Sequence, residues 1–125
     1  MERMNELIDR YIATWNEPDA KRRRDGVREL WTSDGIHRSA TIEARGHGEL
    51  EARTAGTYDK WGKSGYVFRR VNDPDGHHDA VRFRWEMVPR DGGAAVAVAT
   101  DIIILAPDGR IRLGYQFPDP ATPTT

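Results

Sequence analysis

Asp101 is the residue whose type and setting point most clearly to chemistry. It lies between Thr100 and Ile102 in a run of small and apolar residues, Ala94–Ala106, where a carboxylate is costly to bury unless it is paired or protonated. Two outcomes are open. The carboxylate pairs with an inward-facing arginine and is structural, or it lies in an apolar pocket with a raised pKa and can donate a proton or a hydrogen bond.

The run that contains Asp101 predicts a long β-strand over 94–106, and its alternation separates two faces. One face carries Ala95, Ala97, Ala99, Asp101, Ile103 and Leu105; the other carries Ala94, Val96, Val98, Thr100, Ile102 and Ile104. Both faces are largely apolar, so we expect both to be covered. Helices cover the alanine face, whose small side chains leave room for a cavity. The outer face is covered by a second copy of the chain in a homodimer, or by the C-terminal tail.

The preceding strand, predicted over 79–88, alternates in the same way. Its bulky side is Val81, Phe83, Trp85 and Met87, and its polar side is Arg82, Arg84 and Glu86. A three-residue hairpin loop would place Met87 opposite Ala95 and Val81 opposite Asp101, so that large side chains face small ones. Arg82 and Arg84 then face away from Asp101, which favours the pocket interpretation.

Three helices precede this meander. The first is predicted from Met4, Leu7, Ile8, Tyr11, Ile12 and Trp15, which fall on one helical face. The second is expected from about Asp19, a plausible N-cap, to Trp31, and the third from near Gly48 to Trp61. Helices followed by strands indicate an α+β domain over 1–117, with a flexible tail over 118–125.

Shorter strands and turns complete the predicted sheet. Strands are expected over 36–39, 41–44, 66–72 and 110–117, and turns over 33–35, 73–76, 89–93 and 107–109. The Asp-Gly pairs between apolar runs are typical of hairpins. Bulky residues on the helices, together with the residues of the inner strand faces, are the candidates to line a cavity. These candidates are Trp15, Trp31, Tyr58, Trp61, Phe83, Trp85, Met87, Ala97, Ala99, Ile103, Tyr115 and Phe117.

The composition excludes several classes of protein. The 125 residues include 19 Lys and Arg against 20 Asp and Glu, so the basic excess of a sequence-independent nucleic-acid binder is missing. The absence of cysteine excludes disulfides, thiolate catalysis and Cys-ligated metals. The longest apolar stretch is too short to span a bilayer, and the charged N-terminus is unlike a signal peptide. We therefore expect a cytoplasmic protein with no nucleic-acid or membrane partner.

The chain offers no predicted metal site. His77, His78 and Asp79 are consecutive, but neighbouring residues of a strand point to opposite faces and cannot easily chelate one ion. Nucleotide-binding and hydrolase motifs such as G-x-G-x-x-G and G-x-S-x-G are also missing. We expect any chemistry to need no cofactor.

The sequence resembles the nuclear transport factor 2-like superfamily, which includes SnoaL-like polyketide cyclases and ketosteroid isomerases. The resemblance extends to Phe117 and rests on four segments. These are Arg10-Tyr11-Ile12-Ala13 with Trp15-Asn16, Leu30-Trp31-Thr32-Ser33-Asp34, Phe83-Arg84-Trp85-Glu86-Met87-Val88, and Asp101-Ile102-Ile103-Ile104 with Asp108-Gly109-Arg110-Ile111. It implies a cone in which a curved antiparallel sheet packs on three helices around a hydrophobic pocket.

The resemblance also implies roles for particular residues. Tyr11 stands where ketosteroid isomerases have an oxyanion-hole tyrosine, and Asp101 where they have a protonated aspartic acid. Their general-base aspartate falls near Ser39, which cannot act as a base; His37, two residues earlier, is the candidate instead. In SnoaL-like cyclases an aspartate on the same long strand is the proposed acid/base, and Asp101 matches it.

Two functions follow as expectations. The first is cofactor-free isomerisation, cyclisation or hydration of a small apolar carbonyl or polyketide-like compound, with Asp101, Tyr11 and His37 in the site. The second is a non-catalytic ligand-binding or dimerisation module of the same fold, which the serine at position 39 favours.

Overall fold

The computed structural model describes residues 2–119 of the chain. In this part the helices are α1 (Glu2–Asn16), α2 (Ala20–Leu30) and α3 (Gly46–Thr57), and α3 continues into a π-helical turn, Tyr58–Gly62. The strands are β1 (Trp31–Arg38), β2 (Glu43–Arg45), β3 (Tyr66–Arg70), β4 (Asp75–His77), β5 (Ala80–Pro89), β6 (Ala97–Leu105) and β7 (Ile111–Pro118). The predicted α+β class is confirmed.

The helices form where the sequence predicts them. Ile8, Tyr11 and Ile12 of α1 are buried on one helical face. Helix α2 begins after Asp19, whose carboxylate accepts a hydrogen bond from the backbone N–H of Arg22 and so caps the helix. Together α1, α2 and α3 cover one face of the sheet, where the core lies.

The strands of residues 2–119 form one seven-stranded sheet. Its order is β2-β1-β7-β6-β5-β3, with β4 beside β5. Neighbouring strands are antiparallel except for β1 and β7, which are parallel. The expected antiparallel sheet is therefore mixed. A parallel pair needs a long connection, and the chain between β1 and β7 supplies one.

The start of β1 differs from the prediction. The expected turn over 33–35 lies inside this strand, which pairs with β7 at Trp31 and again at Ile36 with a shift of register between them. Gly35 permits this irregular segment because a Cβ there would lie 2.7 Å from the Trp31 ring. The two short strands expected over 36–39 and 41–44 are β1 and β2, which pair as a hairpin.

The β5–β6 hairpin has a longer loop than the three residues expected. Met87 lies opposite Ala97 rather than Ala95, and Phe83 rather than Val81 lies opposite Asp101. Within this loop Gly92 and Gly93 both have positive φ, a conformation that glycine adopts without steric cost. The register moves by two residues, so every side chain keeps its predicted face.

The turn expected over 73–76 is also displaced. Asp75–His77 forms β4, which pairs with β5, and the chain reverses at His78 and Asp79. His78 has φ 54°, a left-handed conformation that closes this turn. Because the strand alternation stops there, the His77 and His78 rings lie next to each other at right angles, with their Nδ1 atoms 3.1 Å apart.

The two faces of β6 have different environments. Ala99, Asp101 and Ile103 are buried on the helix side, whereas Ile102 and Ile104 are half-buried on the outer side. At the end of β7, Pro118 belongs to the strand and Asp119 forms an ion pair with Arg84. The remainder of the predicted tail, 120–125, lies outside the described residues. No helix within residues 2–119 is long and apolar enough to cross a membrane.

Candidate functional site

A cavity of about 680 Å³ opens between the helices and the inner face of the sheet. This volume is within the usual range for sites that bind small organic molecules. Most of its wall is apolar. The apolar lining residues are Ile12, Trp15, Ile42, Ala44, Ala52, Trp61, Phe68, Trp85, Met87 and Ala97. The wall also contains polar groups. Three of them, Asp101, Tyr11 and Arg53, influence one another's pKa values.

Asp101 lies in the cavity wall on the inner face of β6 and is 2% exposed. Its Oδ1 accepts a hydrogen bond from the indole N–H of Trp85 at 3.0 Å, and its Oδ2 accepts one from the hydroxyl of Tyr11 at 3.4 Å. Burial raises the pKa of Asp101 to about 7, although both donors and the Arg53 cation act in the opposite direction. Among the described residues no arginine forms an ion pair with Asp101, so the pocket arrangement is the one observed.

Tyr11 reaches the same wall from α1 and is 3% exposed. Its ring lies edge-on to Phe83, with ring centroids 5.5 Å apart. Burial and the neighbouring Asp101 raise the pKa of Tyr11 well above its ordinary value. The hydroxyl therefore stays protonated and acts as a hydrogen-bond donor.

Arg53 is a lining residue that sequence reasoning missed. It lies on α3, and its guanidinium carbon is 6.0 Å from the centre of the Trp15 ring. Its position was predictable in part, because Arg53 is three residues after the buried Leu50, and residues three apart are neighbours on a helix surface. An arginine is normally assigned to solvent, and nothing local indicates a cavity there.

His37, which the sequence analysis gives as the candidate general base, does not lie at the cavity wall. Its side chain is 1% exposed and packs beside the rings of Trp15 and Trp31. Burial, with a smaller contribution from Arg53, lowers the pKa of His37 to about 3. Neither ring nitrogen has a hydrogen-bond partner among the described residues. His37 is thus a neutral core residue.

The predicted lining residues divide into two groups. Trp15, Trp61, Trp85, Met87 and Ala97 lie in the cavity wall. The others do not: they are Trp31, Tyr58, Phe83, Ala99, Ile103, Tyr115 and Phe117.

Close packing removes several of these residues from the cavity. Trp31 is enclosed between Tyr11 and His37, and Phe83 is 1% exposed beneath Tyr11. Ala99 and Ile103 flank Asp101 on the inner face but are buried in the core.

The remaining three are directed elsewhere. Tyr115 and Phe117 pair with Ile102 and Thr100, so they lie on the outer face of the sheet. Tyr58 lies under the guanidinium of Arg23, at the start of the π-helical turn.

The structure describes no metal centre. Although His77 and His78 approach each other, no group of three His, Cys, Asp or Glu residues within 2–119 is placed to hold an ion.

A sequence profile of the SnoaL-like domain matches residues 8–113 of the chain. Among solved structures, the chain is similar to a proposed isomerase of the SnoaL-like family from Agrobacterium tumefaciens strain C58. The two are 31% identical over 96% of this chain and 100% of that one, with a TM-score of 0.88. No curated protein matches the chain significantly.

More distant structures share the fold. A proposed polyketide cyclase from Sinorhizobium meliloti is 15% identical over 89% of this chain and 93% of its own, with a TM-score of 0.68. AclR, a proposed hydroxylase from Streptomyces galilaeus, is also 15% identical, over 95% of this chain and 90% of its own, with a TM-score of 0.67. At this identity the likeness concerns the fold alone.

Proposed function

The chain belongs to the SnoaL-like domain family, and we propose that it binds a small, mainly apolar carbonyl compound and moves a proton within it. One observation carries this proposal. Asp101 is a buried carboxyl group in the wall of an apolar cavity, and its pKa is about 7. A group with this pKa is present in both protonation states at neutral pH, which suits general acid–base catalysis.

In the proposed reaction, the ionised Asp101 takes a proton from the carbon next to the carbonyl group. The electron pair of that C–H bond forms the C=C bond of an enolate, and the carbonyl π electrons move to oxygen. If the compound is β,γ-unsaturated, protonated Asp101 returns the same proton to its γ-carbon. The double bond then moves into conjugation with the carbonyl group, and the compound keeps all its atoms. Alternatively, the enolate carbon attacks a second carbonyl of the same molecule and closes a ring, and the proton passes to the new alkoxide.

Tyr11 has a complementary role in this reaction. While Asp101 is ionised, its Oδ2 accepts the Tyr11 hydroxyl. Protonation of Asp101 weakens that bond, and the hydroxyl becomes available to the enolate oxygen at the moment when negative charge appears there. One carboxyl group therefore serves as base and acid, and the reaction needs no second base at His37 or Ser39.

Proton abstraction can be tested without knowledge of the natural substrate. The probe is 2-tetralone in deuterated buffer, and ¹H NMR follows the loss of its α-proton signals. We expect the wild-type protein to accelerate exchange, with a rate that rises as the pH passes about 7, the pKa of Asp101. Asp101→Asn should lower the enzymatic rate by at least about 100-fold. Equal rates for the two proteins would remove Asp101 from the mechanism.

A non-catalytic binding module is the second candidate function. It is favoured by the hydrogen bonds that already occupy both carboxyl oxygens of Asp101, from Trp85 and Tyr11. This function predicts that 2-tetralone binds, with perturbed NMR resonances for cavity residues, while its α-proton exchange stays at the rate of buffer alone.

We further propose that the outer sheet face packs against a second copy of the chain. Phe117 and Val96 are 53% and 41% exposed at this face, beside the half-buried Ile102 and Ile104. Exposed apolar residues on a sheet face that also carries charged side chains, here Arg82, Arg84 and Glu86, are typical of a self-association surface. Phe117→Glu should convert a dimer to a monomer in sedimentation experiments, whereas Ala13→Glu, which adds the same charge at an exposed position of α1 away from the outer sheet face, should not.

A further inference from the structure

Arg53 brings a cation to the wall of a largely apolar cavity without a partner for its charge. Its Nε is buried and has no hydrogen-bond partner within residues 2–119. No carboxylate oxygen of the described chain lies within 4.0 Å of its guanidinium nitrogens, the distance that defines an ion pair. Arginine remains charged under all ordinary conditions, so the cavity wall holds an unmatched positive charge.

The arginines of similar burial are all paired, which makes Arg53 an exception. Within the described chain, each of the other buried or half-buried arginines donates to a carboxylate or a backbone carbonyl. These are Arg23 with the carbonyl of Glu17, Arg38 with Glu43, Arg70 with Asp9, Arg84 with Asp119, and Arg110 with Asp108.

The nearest sequence partner of Arg53 is engaged elsewhere. Glu49 lies one helical turn earlier on α3, at the spacing that favours a salt bridge. Its Oε1 instead accepts the backbone N–H of Arg45 at 2.8 Å, at the start of the helix. The Asp101 carboxyl is occupied by Trp85 and Tyr11. The protein thus leaves the guanidinium without an anion of its own.

The space beside Arg53 is open to a ligand. Gly56 lies three residues later on α3, in the cavity wall, and a Cβ placed there would meet no atom within 4 Å. The Trp15 ring lies beneath the guanidinium and supplies an apolar surface next to it. A carboxylate can approach such a guanidinium in two parallel hydrogen bonds.

We infer that the ligand is a small organic acid, whose carboxylate binds Arg53 while its apolar carbon skeleton fills the cavity and presents its reacting carbon to Asp101. This inference rests on the proposed function and names its substrate class. Arg53 then selects organic anions over neutral compounds of the same shape.

Calorimetry with 2-naphthoate and 2-naphthamide tests the inference, because the two probes have similar shapes and differ in charge. At pH 6, below the pKa of about 7, Asp101 is mostly neutral and does not repel the acid. We expect the wild-type protein to bind the acid about 10- to 100-fold more tightly than the amide, the range for one charge-assisted hydrogen-bonded contact.

Three variants isolate the contribution of Arg53. Arg53→Met keeps the apolar stem and should abolish the preference for the acid, while the affinity for the amide changes less than about threefold. Arg53→Lys keeps the charge and should restore part of the preference. Lys60→Met removes another cation of the cavity wall and should leave the preference intact.

The outcomes separate this inference from the function on which it rests. Equal binding of acid and amide by the wild-type protein would overturn the anion subsite and leave the apolar cavity as a ligand site. Equal loss of the preference for the acid in Lys60→Met and Arg53→Met would also overturn it. The preference would then come from the overall positive electrostatic potential of the cavity wall and not from a contact with Arg53. If neither compound binds, both the inference and the ligand-binding function fail.

Discussion

Replacement of Asp101 by Asn should make the protein more stable at alkaline pH and change its stability little at acid pH. Asn has the same shape, and its Oδ1 can still accept the Trp85 indole N–H that bonds to Asp101. What the replacement removes is the ionisable group. The pKa of Asp101 rises from an ordinary 3.8 to about 7 because burial disfavours the carboxylate.

The sign of the pH dependence follows from this raised pKa. The folded protein holds the proton more tightly than the unfolded chain, so the stability that protonated Asp101 contributes is complete below pH 4. It is lost as the pH rises through about 7. Each pKa unit corresponds to about 1.4 kcal/mol, so the full loss amounts to about 4 kcal/mol, of which about 3 kcal/mol falls between pH 5 and pH 8.

Urea denaturation of the wild-type and Asp101→Asn proteins at pH 5 and pH 8 measures this effect. The difference in unfolding free energy should shift by about 3 kcal/mol in favour of the variant at pH 8. Other titrating groups cancel in the difference. Asp91→Asn, in the exposed turn after β5, is the matched control and should shift by less than about 0.5 kcal/mol.

A pH-independent difference between the wild-type and Asp101→Asn proteins would refute the reasoning, because it would mean that Asp101 ionises alike in the folded and unfolded chains. A ¹³C NMR titration of the Asp101 carboxyl provides the same test directly. A midpoint near 4, the usual value for aspartate, would remove the basis of the proposed acid–base role.

Three further changes test the site. Trp85→Phe removes the indole donor that lowers the pKa of Asp101, so the NMR midpoint of Asp101 should move above about 7; an unchanged or lower midpoint would contradict the hydrogen bond. Arg53→Met removes a buried hydrogen-bond donor that has no partner within residues 2–119, which should raise the free energy of unfolding by about 1–3 kcal/mol. It also removes the contact of the guanidinium with the Trp15 ring, which should lower the free energy of unfolding by about 0.5–1 kcal/mol. Thermal unfolding should therefore show an equal or higher midpoint, and a clear decrease would mean that Arg53 is structural. Gly56→Leu places a side chain in the open space of the cavity and should block 2-naphthamide binding in calorimetry. It should not lower the thermal midpoint, because a glycine inside a helix destabilises it by about 1 kcal/mol and the replacement removes that cost. Undiminished binding would place the ligand outside this cavity.

Much of the scaffold follows from local pattern. The stripe of α1 and the cap at Asp19 are predictable because a helix repeats its faces every 3.6 residues and exposes unpaired N–H groups at its start. Asp101 could likewise be assigned to the inner face of β6, since alternation along a strand is independent of its partner.

The site itself is less predictable. The sequence directs the bulky side of β5 inward, but only two of the four residues predicted there, Trp85 and Met87, reach the cavity wall. The length of the hairpin loop moves Phe83 opposite Asp101, where Tyr11 covers it. Loop length depends on the conformations of Gly92 and Gly93, which glycine's freedom leaves open.

The sequence by itself determined which side chains share a face, where the helices begin, and that one carboxyl group lies among apolar residues. The tertiary structure decided which of these faces meet. It set β1 parallel to β7, enclosed His37 between two tryptophans, and brought Arg53 to the cavity of Asp101. The physical reason is the distance along the chain over which each feature is determined. The periodicity of a helix or strand relates neighbouring residues, whereas a cavity is the space between elements that are distant in the chain. Its walls therefore depend on how all of these elements pack.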